Sequence, residues 1–578
     1  MTKMASIKGA IARERAQREA FSENDLVSLV RTGAEREALD NLVFFASPKR
    51  FVPCVQAVQR ELEVEFSRSA EQIQERYLRF LTNLVLSLRS CLPLWNLQNI
   101  ARRGGAALDD VALRTLADGT RALAIKLADQ APNVAERLLA DWRAETTTRL
   151  QAEHVQDPQS EADALVGNSI AEYLTNLTAE IARSNLRHIA EMQLAGQTLT
   201  EISNDYAAFL QYAMYLGASF ATTNPPLVDY AWLAHPEHWN PIVDSIITDN
   251  PEARADELAR LVTLEVVLAN MRLLRPIFLL TDGGMGCVCL QVNPHNHGDA
   301  GAMISEALFL YDELRTKLDG GVPNVVFKLP GTKAGLEACR ALTGQGIGVT
   351  ITVNFGMFQH IPFVEAMSEG QAIYSNLVEM NGRLAYPVRD ELLGKLDELS
   401  TYGIDEDKAR EAAAWAGVAV IKRVYALLTE KGYDLRRFKP LVASLRIYRG
   451  DGYGGLPSAF PDVTETLGAS IISVFPNVRR PFDQQSETRL EPMRIEVPVS
   501  DDVLAVLAHS EIFKQAYYVA DRDWVAAEDG RFRPDYELTL DDEDAVVAWA
   551  PVHNTLTGFQ DSYDTFVQRI LGRKRSSS

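Results

Sequence analysis

From Gly196 onwards, short apolar segments of β-strand character alternate with longer segments of helical character. This strict alternation predicts a parallel sheet, and eight such units over roughly 250 residues are what a closed (β/α)8 barrel requires. An open doubly wound sheet is the alternative, but no Gly-rich dinucleotide loop follows the first strand segment. We therefore predict an α/β fold with a TIM barrel over residues 197–482. The predicted strands are Leu199–Asp205, Ala218–Thr223, Gly286–Val292, Asn324–Leu329, Ile347–Asn354, Ala372–Val378, Leu441–Ile447 and Ala469–Phe475.

The segments on either side of the predicted barrel differ from it in pattern. Residues 1–196 carry apolar side chains at three- and four-residue spacing, as in Leu26, Leu29 and Val30, which predicts an all-α N-terminal domain. Its role is open; it can cover the barrel, bind a partner or form a homo-oligomer. Residues 483–578 read as a mixed, acidic C-terminal extension. The basic end of this extension, Arg573-Lys574-Arg575-Ser-Ser-Ser, is predicted to be disordered.

The charge balance excludes several classes of partner. The 578 residues include 58 Lys and Arg against 78 Asp and Glu, so the net charge of −20 repels nucleic acid and anionic lipid. The most apolar region, Leu261–Leu280, is interrupted by Glu265, Arg272 and Arg275. These charges are costly in hydrocarbon, so we predict neither a membrane-spanning helix nor a membrane partner.

The cysteine content indicates the compartment. Five cysteines, an odd number, are too few for a disulfide framework in a chain of this length. The first residues lead directly to Arg13, Glu14 and Arg15 without the apolar stretch of a secretory signal. We therefore expect a reducing, cytoplasmic location.

One lysine lies where a barrel rarely places one. In the strand Asn324–Leu329, Lys328 falls among apolar neighbours near the end of the strand, in the inward register. Desolvation there favours the neutral amine, which is the nucleophile that forms a Schiff base with a carbonyl compound. The structural alternative is a buried stem whose ammonium group reaches water or a carboxylate.

Neighbouring strands carry polar residues in matching positions. A purely structural barrel fills these inward positions with branched aliphatic residues. Asp205, Asn224, Gln291 and Thr352 instead lie at or near the ends of four predicted strands. We therefore predict a catalytic site around Lys328. Ser444 and Arg446 on the seventh strand, with Arg383 after the sixth, add cations that can hold a sugar phosphate.

Several segments of this region resemble the transaldolase family. The resemblance covers about Leu199 to Phe475, roughly half of the chain, in the family's order and spacing. The segments are Ala221-Thr-Thr-Asn-Pro-Pro-Leu (second strand), Val325-Val-Phe-Lys-Leu-Pro-Gly-Thr (Schiff-base lysine strand), Gly346-Ile-Gly-Val-Thr-Ile-Thr-Val-Asn-Phe (fifth strand), Asn381-Gly-Arg (end of the sixth strand) and Val442-Ala-Ser-Leu-Arg (phosphate-binding strand).

The resemblance implies an enzyme that transfers a dihydroxyacetone unit from a ketose or ketose phosphate to an aldose acceptor, without a metal or organic cofactor. It implies that Lys328 is the Schiff-base nucleophile, that Asp205 is the general base and acid, and that Asn224 orients the sugar hydroxyl. Thr352 is expected to help hold the catalytic water, and Arg383 and Arg446 to bind phosphate. The remaining predicted substrate-binding residues are Thr223, Asn293, Ser375 and Ser444.

Two departures from the family pattern leave alternatives open. Gln291 stands where transaldolases have a glutamate that acts on the catalytic water, and fructose-6-phosphate aldolases carry glutamine there. Ser375-Asn-Leu-Val-Glu-Met-Asn replaces the usual Ser-Pro-Phe before Gly-Arg. The alternatives are direct aldol cleavage and addition, or an inactive barrel that serves as a binding or scaffold module. The sequence does not identify the sugar.

Overall fold

The structure is a computed structural model that describes residues 2–90, 110–485, 489–517, 524–526, 532–534 and 538–577. Eight of the described strands are parallel and close into a barrel in sequence order, which confirms the predicted (β/α)8 fold. Cys91 lies outside the described residues. The strands are β1 (Glu201–Asn204), β2 (Ala218–Ala221), β3 (Val288–Gln291), β4 (Val325–Pro330), β5 (Gly348–Thr352), β6 (Ser375–Met380), β7 (Phe438–Ala443) and β8 (Ile471–Val474).

Nearly all residues of the barrel strands are buried, including polar ones such as those of Glu201–Asn204, because both faces of the barrel wall are covered. In the strand register Gln291 lies opposite Lys328, and Pro330 lies opposite Thr352. The carboxyl ends of β3, β4 and β5 therefore meet at one end of the barrel.

Two strand predictions were shifted along the chain. The seventh strand was predicted as Leu441–Ile447, but β7 begins three residues earlier and ends at Ala443, because Ser444 adopts a left-handed backbone (φ 61°) that ends the strand. Ser444 and Arg446 therefore lie in the loop after β7 rather than on the strand. The sixth strand was predicted as Ala372–Val378, but β6 runs from Ser375 to Met380.

Helices cover the outside of the barrel and connect its strands, as the alternation predicts. The strongly apolar segment Leu261–Leu280 belongs to a 26-residue helix with most of its residues buried. The helices from β1 to β8 are Leu210–Tyr215, Pro225–Ala234, Pro236–Asp249, Ala255–Leu280, Ala300–Lys317, Lys333–Gly344, Met357–Glu369, Asn381–Gly394, Leu396–Leu399, Glu406–Ala414, Ala416–Glu430 and Pro461–Thr464.

The described residues before β1 are helical, which confirms the predicted all-α region. Its amphipathic helices bury one face each; Ile170–Arg183, for example, buries Ile170, Leu174, Leu177 and Ile181 at helical spacing. Asn41–Phe45 forms one π-helical turn. The helices are Lys3–Glu19, Glu23–Thr32, Glu35–Asp40, Pro48–Phe66, Glu71–Arg89, Asp110–Gln130, Pro132–Ala152, Pro158–Val166, Ile170–Arg183 and Asn185–Leu194.

The segment after β8 ends in a 28-residue helix, Ala550–Ser577, which we call the C-terminal helix. The disorder predicted for the basic end was wrong, because this helix continues through Arg573–Arg575 and Arg573 forms a two-fold hydrogen-bonded ion pair with Asp244. The other described elements are Pro476–Asp483, Asp501–Leu507, Glu511–Tyr517, Glu543–Ala548 and an antiparallel strand pair, Trp524–Ala526 with Phe532–Pro534.

One stretch of the described chain, Glu406–Glu430, is long and apolar enough to cross a membrane. In the fold, 78% of its most apolar window is buried inside the protein. Burial of this extent is typical of a core helix packed against barrel strands.

Candidate active site

A cavity of about 570 Å³ opens at the carboxyl ends of the barrel strands. Catalytic residues of (β/α)8 barrels lie at this end, because the strand ends and the loops after them converge there. Polar and charged side chains from several strand ends line it together. The predicted site residues in its wall are Asp205, Asn224, Lys328, Thr352, Arg383, Ser444 and Arg446.

Lys328 is the buried cation of this cavity. Its side chain leaves β4 toward the cavity, the residue is only 6% exposed, and its Nζ donates to the Thr223 carbonyl oxygen at 3.4 Å. Burial lowers the pKa of Lys328 below 10.5; the nearby Cys289 and Asp205 oppose this, and Arg383 adds to it. The site therefore increases the neutral, nucleophilic form of the amine.

Asp205 follows β1 directly and faces the same cavity. Thr222 Oγ1 donates to its Oδ1 at 2.5 Å and also lies 2.8 Å from Ser473 Oγ on β8. Burial raises the pKa of Asp205, although Lys328, the Thr222 hydrogen bond and the two cavity arginines favour the charged form. The carboxyl group is therefore more readily protonated than a surface aspartate and is suited to transfer a proton.

Two arginines form the cationic side of the cavity. Arg383 lies in the first turn of the helix Asn381–Gly394, and burial followed by repulsion from Arg446 lowers its pKa. Buried Asp462 accepts the backbone N–H of Arg446 at 2.8 Å and Nδ2 of Asn381 at 3.1 Å, so it links the two segments that carry the arginines. Burial raises the pKa of Asp462 to about 6.

Asn224 and Thr352 are positioned by local contacts. Asn224 is the N-cap of the helix Pro225–Ala234, and its Oδ1 accepts the N–H of Leu227 at 3.0 Å. Asn224 is also part of the cavity wall. Thr352, at the end of β5, contacts Met380 Sδ at 3.6 Å through its Oγ1.

Four predicted residues lie outside the cavity wall. Thr223 is buried, and its hydroxyl donates to the carbonyl of Cys289 at 2.6 Å, so only its backbone oxygen reaches Lys328. Asn293 caps a short 3-10 turn by accepting the N–H of His295. Gln291 stands beside Lys328 in the sheet, with a buried Oε1 that has no hydrogen-bond partner among the described residues.

The structure does not support the prediction that Ser375 binds substrate. Ser375 is the first residue of β6, at the amino end of the barrel, where its Oγ accepts the N–H of Val349 at 3.4 Å. The last residue of β6, Met380, is the one in the cavity wall. The predicted strand began too early, which shifted the register of this segment.

The cavity also contains residues that the sequence did not indicate. Phe559 and Ser562 come from the C-terminal helix, and Thr222 directly follows β2. The sequence could have indicated Thr222, because this residue directly precedes Thr223-Asn-Pro and lies in the inward register of the predicted strand Ala218–Thr223. Phe559 had none, because no periodicity links a helix more than two hundred residues away to the lysine strand.

The buried thiols next to the site are not poised as metal ligands. Cys289 Sγ donates to Thr350 Oγ1 at 3.3 Å, and burial raises its pKa to about 11, so the thiol stays protonated. In the part of the chain that the structure describes, no three His, Cys, Asp or Glu side chains are grouped to hold a metal ion.

The fold and the cavity define the class of protein: a (β/α)8 barrel with a buried lysine, Lys328, at the carboxyl ends of its strands. The same cavity holds Asp205, a carboxyl group whose pKa is raised by burial. Residues 198–475 match the family Transaldolase/Fructose-6-phosphate aldolase. This match, over slightly less than half of the chain, confirms the resemblance found in the sequence.

Curated relatives match parts of the barrel region. Transaldolase 1 of Streptomyces avermitilis is 32% identical over 149 residues, which cover 26% of this chain and 37% of that protein. The transaldolase of Arthrobacter sp. strain FB24 is 26% identical over 276 residues, 44% of this chain and 68% of that protein. Transaldolase 2 of Nostoc sp. is 25% identical over 272 residues, 44% of this chain and 64% of that protein. The match to the Streptomyces protein thus spans little more than a third of that relative.

Proposed function

We propose that this protein is a transaldolase-like enzyme that makes and breaks a carbon–carbon bond of a ketose or ketose phosphate through a Schiff base on Lys328. The observation that carries the proposal is the convergence of a buried lysine of lowered pKa and a carboxyl group of raised pKa on one cavity. Pairs of groups whose environments shift their pKa values away from ordinary ranges are typical of acid–base sites.

The chemistry begins at the amine. The neutral Nζ of Lys328 attacks the ketose carbonyl carbon to give a carbinolamine, which loses water to form an iminium ion. Asp205 then takes the proton of the hydroxyl group on the carbon beyond the bond that breaks. The electron pair of that bond forms the carbon–carbon double bond of an enamine, while the C=N π pair moves to the nitrogen. An aldehyde leaves, and the dihydroxyacetone enamine stays on Lys328.

The steps after formation of the enamine determine whether the enzyme is a transferase or an aldolase. In transfer, the enamine attacks the carbonyl carbon of an aldose acceptor, and Asp205 returns its proton to the new alkoxide. Water then hydrolyses the resulting iminium ion, which releases the product ketose and restores the amine of Lys328. In direct aldol cleavage, the enamine is protonated and water releases free dihydroxyacetone. We propose transfer as the main activity, with a phosphate of donor or acceptor bound by Arg383 and Arg446.

Gln291 favours the second candidate, direct aldol cleavage, because fructose-6-phosphate aldolases carry glutamine where transaldolases have glutamate. Gln291 lies next to Lys328 in the sheet and carries a buried Oε1 without a partner among the described residues. Such an oxygen can accept a hydrogen bond from water. An amide cannot take a proton from water, however, so Gln291 would act by positioning alone.

The test uses fructose 6-phosphate as donor, with and without an aldose phosphate acceptor. We expect cleavage in the wild type and a loss of at least a thousandfold in Lys328→Ala. Lys333→Ala is the matched control, since Lys333 follows the same strand but is half-exposed and pairs with Asp541. Cleavage that requires the acceptor supports transfer, whereas cleavage without it supports the direct aldolase. Equal rates in wild type and Lys328→Ala would overturn both, and a wild type without turnover would leave only a binding barrel.

A further inference from the structure

The guanidinium groups of the two cavity arginines contact carbonyl oxygens and an aromatic ring. Arg446 Nη1 donates to the backbone oxygens of Ser444 and Leu445, at 3.0 and 3.1 Å. The Cζ atom of Arg383 lies 5.3 Å from the ring centroid of Phe559. In the part of the chain that the structure describes, no carboxylate forms an ion pair with either arginine. Both positive charges therefore remain available to an anion that enters the cavity.

Asp462 lies between the two arginine segments and binds their framework instead of their charges. It is only 1% exposed, and its Oδ2 accepts the backbone N–H of Arg446 at 2.8 Å. Its Oδ1 accepts Nδ2 of Asn381 at 3.1 Å, and Asn381 stands two residues before Arg383. One buried carboxyl group thus connects both segments and leaves their guanidinium groups free to face the cavity.

The two segments also meet directly at Gly382. The N–H of Gly382 donates to the carbonyl oxygen of Ser444 at 3.1 Å. A Cβ atom at position 382 would lie 2.4 Å from both this oxygen and Cγ of Arg446, so the contact requires glycine. The backbone beside Arg383 is therefore packed against the stem of Arg446. A small shift of either segment changes the separation of the two guanidinium groups.

From this arrangement we propose that Asp462 is a positioning residue that holds Arg383 and Arg446 at the separation needed to bind one phosphate group together. The inference rests on the proposed function, which places the substrate phosphate at these two arginines. Two like charges repel each other, so without a link their segments tend to move apart. A fixed link orders both side chains before the ligand arrives and lowers the ordering cost of binding.

Charge alone predicts the opposite effect of Asp462 on phosphate binding. A carboxylate near the site repels a phosphate group, so its removal tightens binding if only charge matters. Removal of its two hydrogen bonds weakens binding if positioning matters, because the ligand must then order the arginines itself. The direction of the change in affinity therefore separates the two roles.

Asp462→Asn removes the charge and can keep both links. Its amide oxygen can accept the N–H of Arg446, and its amide nitrogen can donate to Oδ1 of Asn381. That oxygen is buried and has no hydrogen-bond partner among the described residues. Asp462→Ala, by contrast, removes the charge and both links.

The experiment measures binding of glucitol 6-phosphate, a sugar alcohol phosphate that has no carbonyl group and forms no Schiff base. Isothermal titration is carried out on the wild type, Asp462→Ala, Asp462→Asn and the control Glu465→Ala. We expect Asp462→Ala to bind about tenfold more weakly than the wild type, and Asp462→Asn to bind as tightly as the wild type or more tightly.

Glu465 is a matched control on the same segment. It lies three residues after Asp462, is 5% exposed and accepts Nε of Arg494 at 2.7 Å, away from the residues of the cavity wall. We expect Glu465→Ala to lower the free energy of unfolding, measured in urea, and to leave the affinity for glucitol 6-phosphate within about twofold of the wild type.

Unchanged or tighter binding in Asp462→Ala would overturn the inference, and so would an equal loss of affinity in Glu465→Ala. A loss in Asp462→Asn as large as that in Asp462→Ala also counts against positioning. Asn381→Ala removes only one of the two links, so it reports on the same contact if Asp462→Ala does not fold. We expect about threefold weaker binding in Asn381→Ala, and the wild-type affinity there would contradict the inference.

Failure of the proposed function is a separate observation. A wild type that forms no Schiff base with dihydroxyacetone contradicts the proposed chemistry at Lys328 and leaves the glucitol 6-phosphate measurement intact. A wild type that forms the Schiff base but does not bind glucitol 6-phosphate contradicts the role of Asp462 alone.

Discussion

At the scale of single residues, the site depends on opposite shifts in two titratable groups. Burial lowers the pKa of Lys328 and raises that of Asp205, so each group is moved toward its neutral form. Neutral lysine is the nucleophile, and protonated aspartic acid is the donor for the reverse proton transfer. The same desolvation thus prepares both partners for the proposed reaction.

The first prediction concerns the pH dependence of imine formation. A neutral amine is populated above its pKa, so the rate of imine formation should rise with pH through a midpoint below the 10.5 of an ordinary lysine. The measurement is the initial rate of borohydride trapping from pH 6 upward. A midpoint at or above 10.5 would contradict the burial of the amine described here.

The second prediction concerns Thr222 as a positioning residue for Asp205. The hydroxyl donor stabilises the carboxylate form, so Thr222→Val should raise the pKa of Asp205 further. We expect the acid limb of kcat/KM to move to higher pH and the rate at neutral pH to fall about tenfold, as for one lost hydrogen bond to a charged group. A tenfold fall with an unmoved acid limb would indicate a structural role only.

Residue positions were predictable where a strand supplied a register. Lys328, Asp205 and Asn224 could be found because period-two alternation and the quoted motifs place them near strand ends. Ser375 was wrongly assigned to the substrate site, because the predicted strand began at Ala372. The hydrogen-bonded strand β6 begins at Ser375, so this residue lies at the amino end of the strand. Phe559 could not be found, since it reaches the site through tertiary packing of a distant helix.

At the scale of secondary-structure elements, a buried polar pair joins the helix Met357–Glu369 to β6. His360 Nε2 lies 3.0 Å from Glu379 Oε2, and both side chains are fully buried. Burial lowers the pKa of His360 to about 3 and raises that of Glu379 well above its ordinary value. The folded pair therefore holds one proton across mildly acidic pH.

The third prediction follows from this proton count. Between about pH 4.3 and 6.5 the unfolded chain also holds one proton on these two groups, so the pair adds no pH dependence to stability. Glu379→Gln leaves His360 neutral in the fold, and stability is then lost as pH falls below the unfolded histidine pKa. We expect the variant to lose about 1 kcal/mol more than wild type between pH 6.5 and 5.5 in urea unfolding. Identical slopes would contradict the shared proton.

Element existence was more predictable than element ends. The alternation of short β-rich segments with longer helical segments identified all eight barrel strands, because each strand is followed by a connecting helix. The end of β7 was placed too late, because the left-handed residue that ends it is Ser444 rather than a glycine. Serine gives little warning of that backbone conformation.

At the scale of the whole molecule, a buried charge network docks the N-terminal helices on the barrel. Glu153 accepts hydrogen bonds from Arg149 at 3.1 Å and from Arg479 at 2.6 Å, and Arg480 lies 3.6 Å away. Arg479 and Arg480 belong to the helix Pro476–Asp483, which supplies Asn477 and Val478 to the cavity wall. The helical region thus supports one wall of the site.

The fourth prediction tests this support. Glu153→Gln leaves three arginines near a neutral side chain in a buried place, and removal of one partner from such a network costs about 3–5 kcal/mol. We expect that loss in urea unfolding, together with a raised KM. Glu161→Gln is the control, since Glu161 is more exposed and, among the described residues, its ion pair is with Arg480. Equal losses in the two variants would contradict a central role for Glu153.

The contact between the N-terminal helices and the barrel could not be predicted from the sequence. Helical periodicity predicted the N-terminal helices correctly, because each buries an apolar face. Helical periodicity does not indicate which charged side chains of the N-terminal region contact the helix Pro476–Asp483. Such pairings depend on how separate elements pack.

The most direct test of the central claim is the mass of Lys328 after reduction with borohydride in the presence of dihydroxyacetone. The account predicts that the peptide containing Lys328 gains the mass of one reduced dihydroxyacetone unit, and that Lys422, a buried lysine of lowered pKa bound to two backbone carbonyls, does not. A wild-type protein that acquires no adduct at Lys328, or acquires it equally at Lys422, would contradict a Schiff-base site in this barrel.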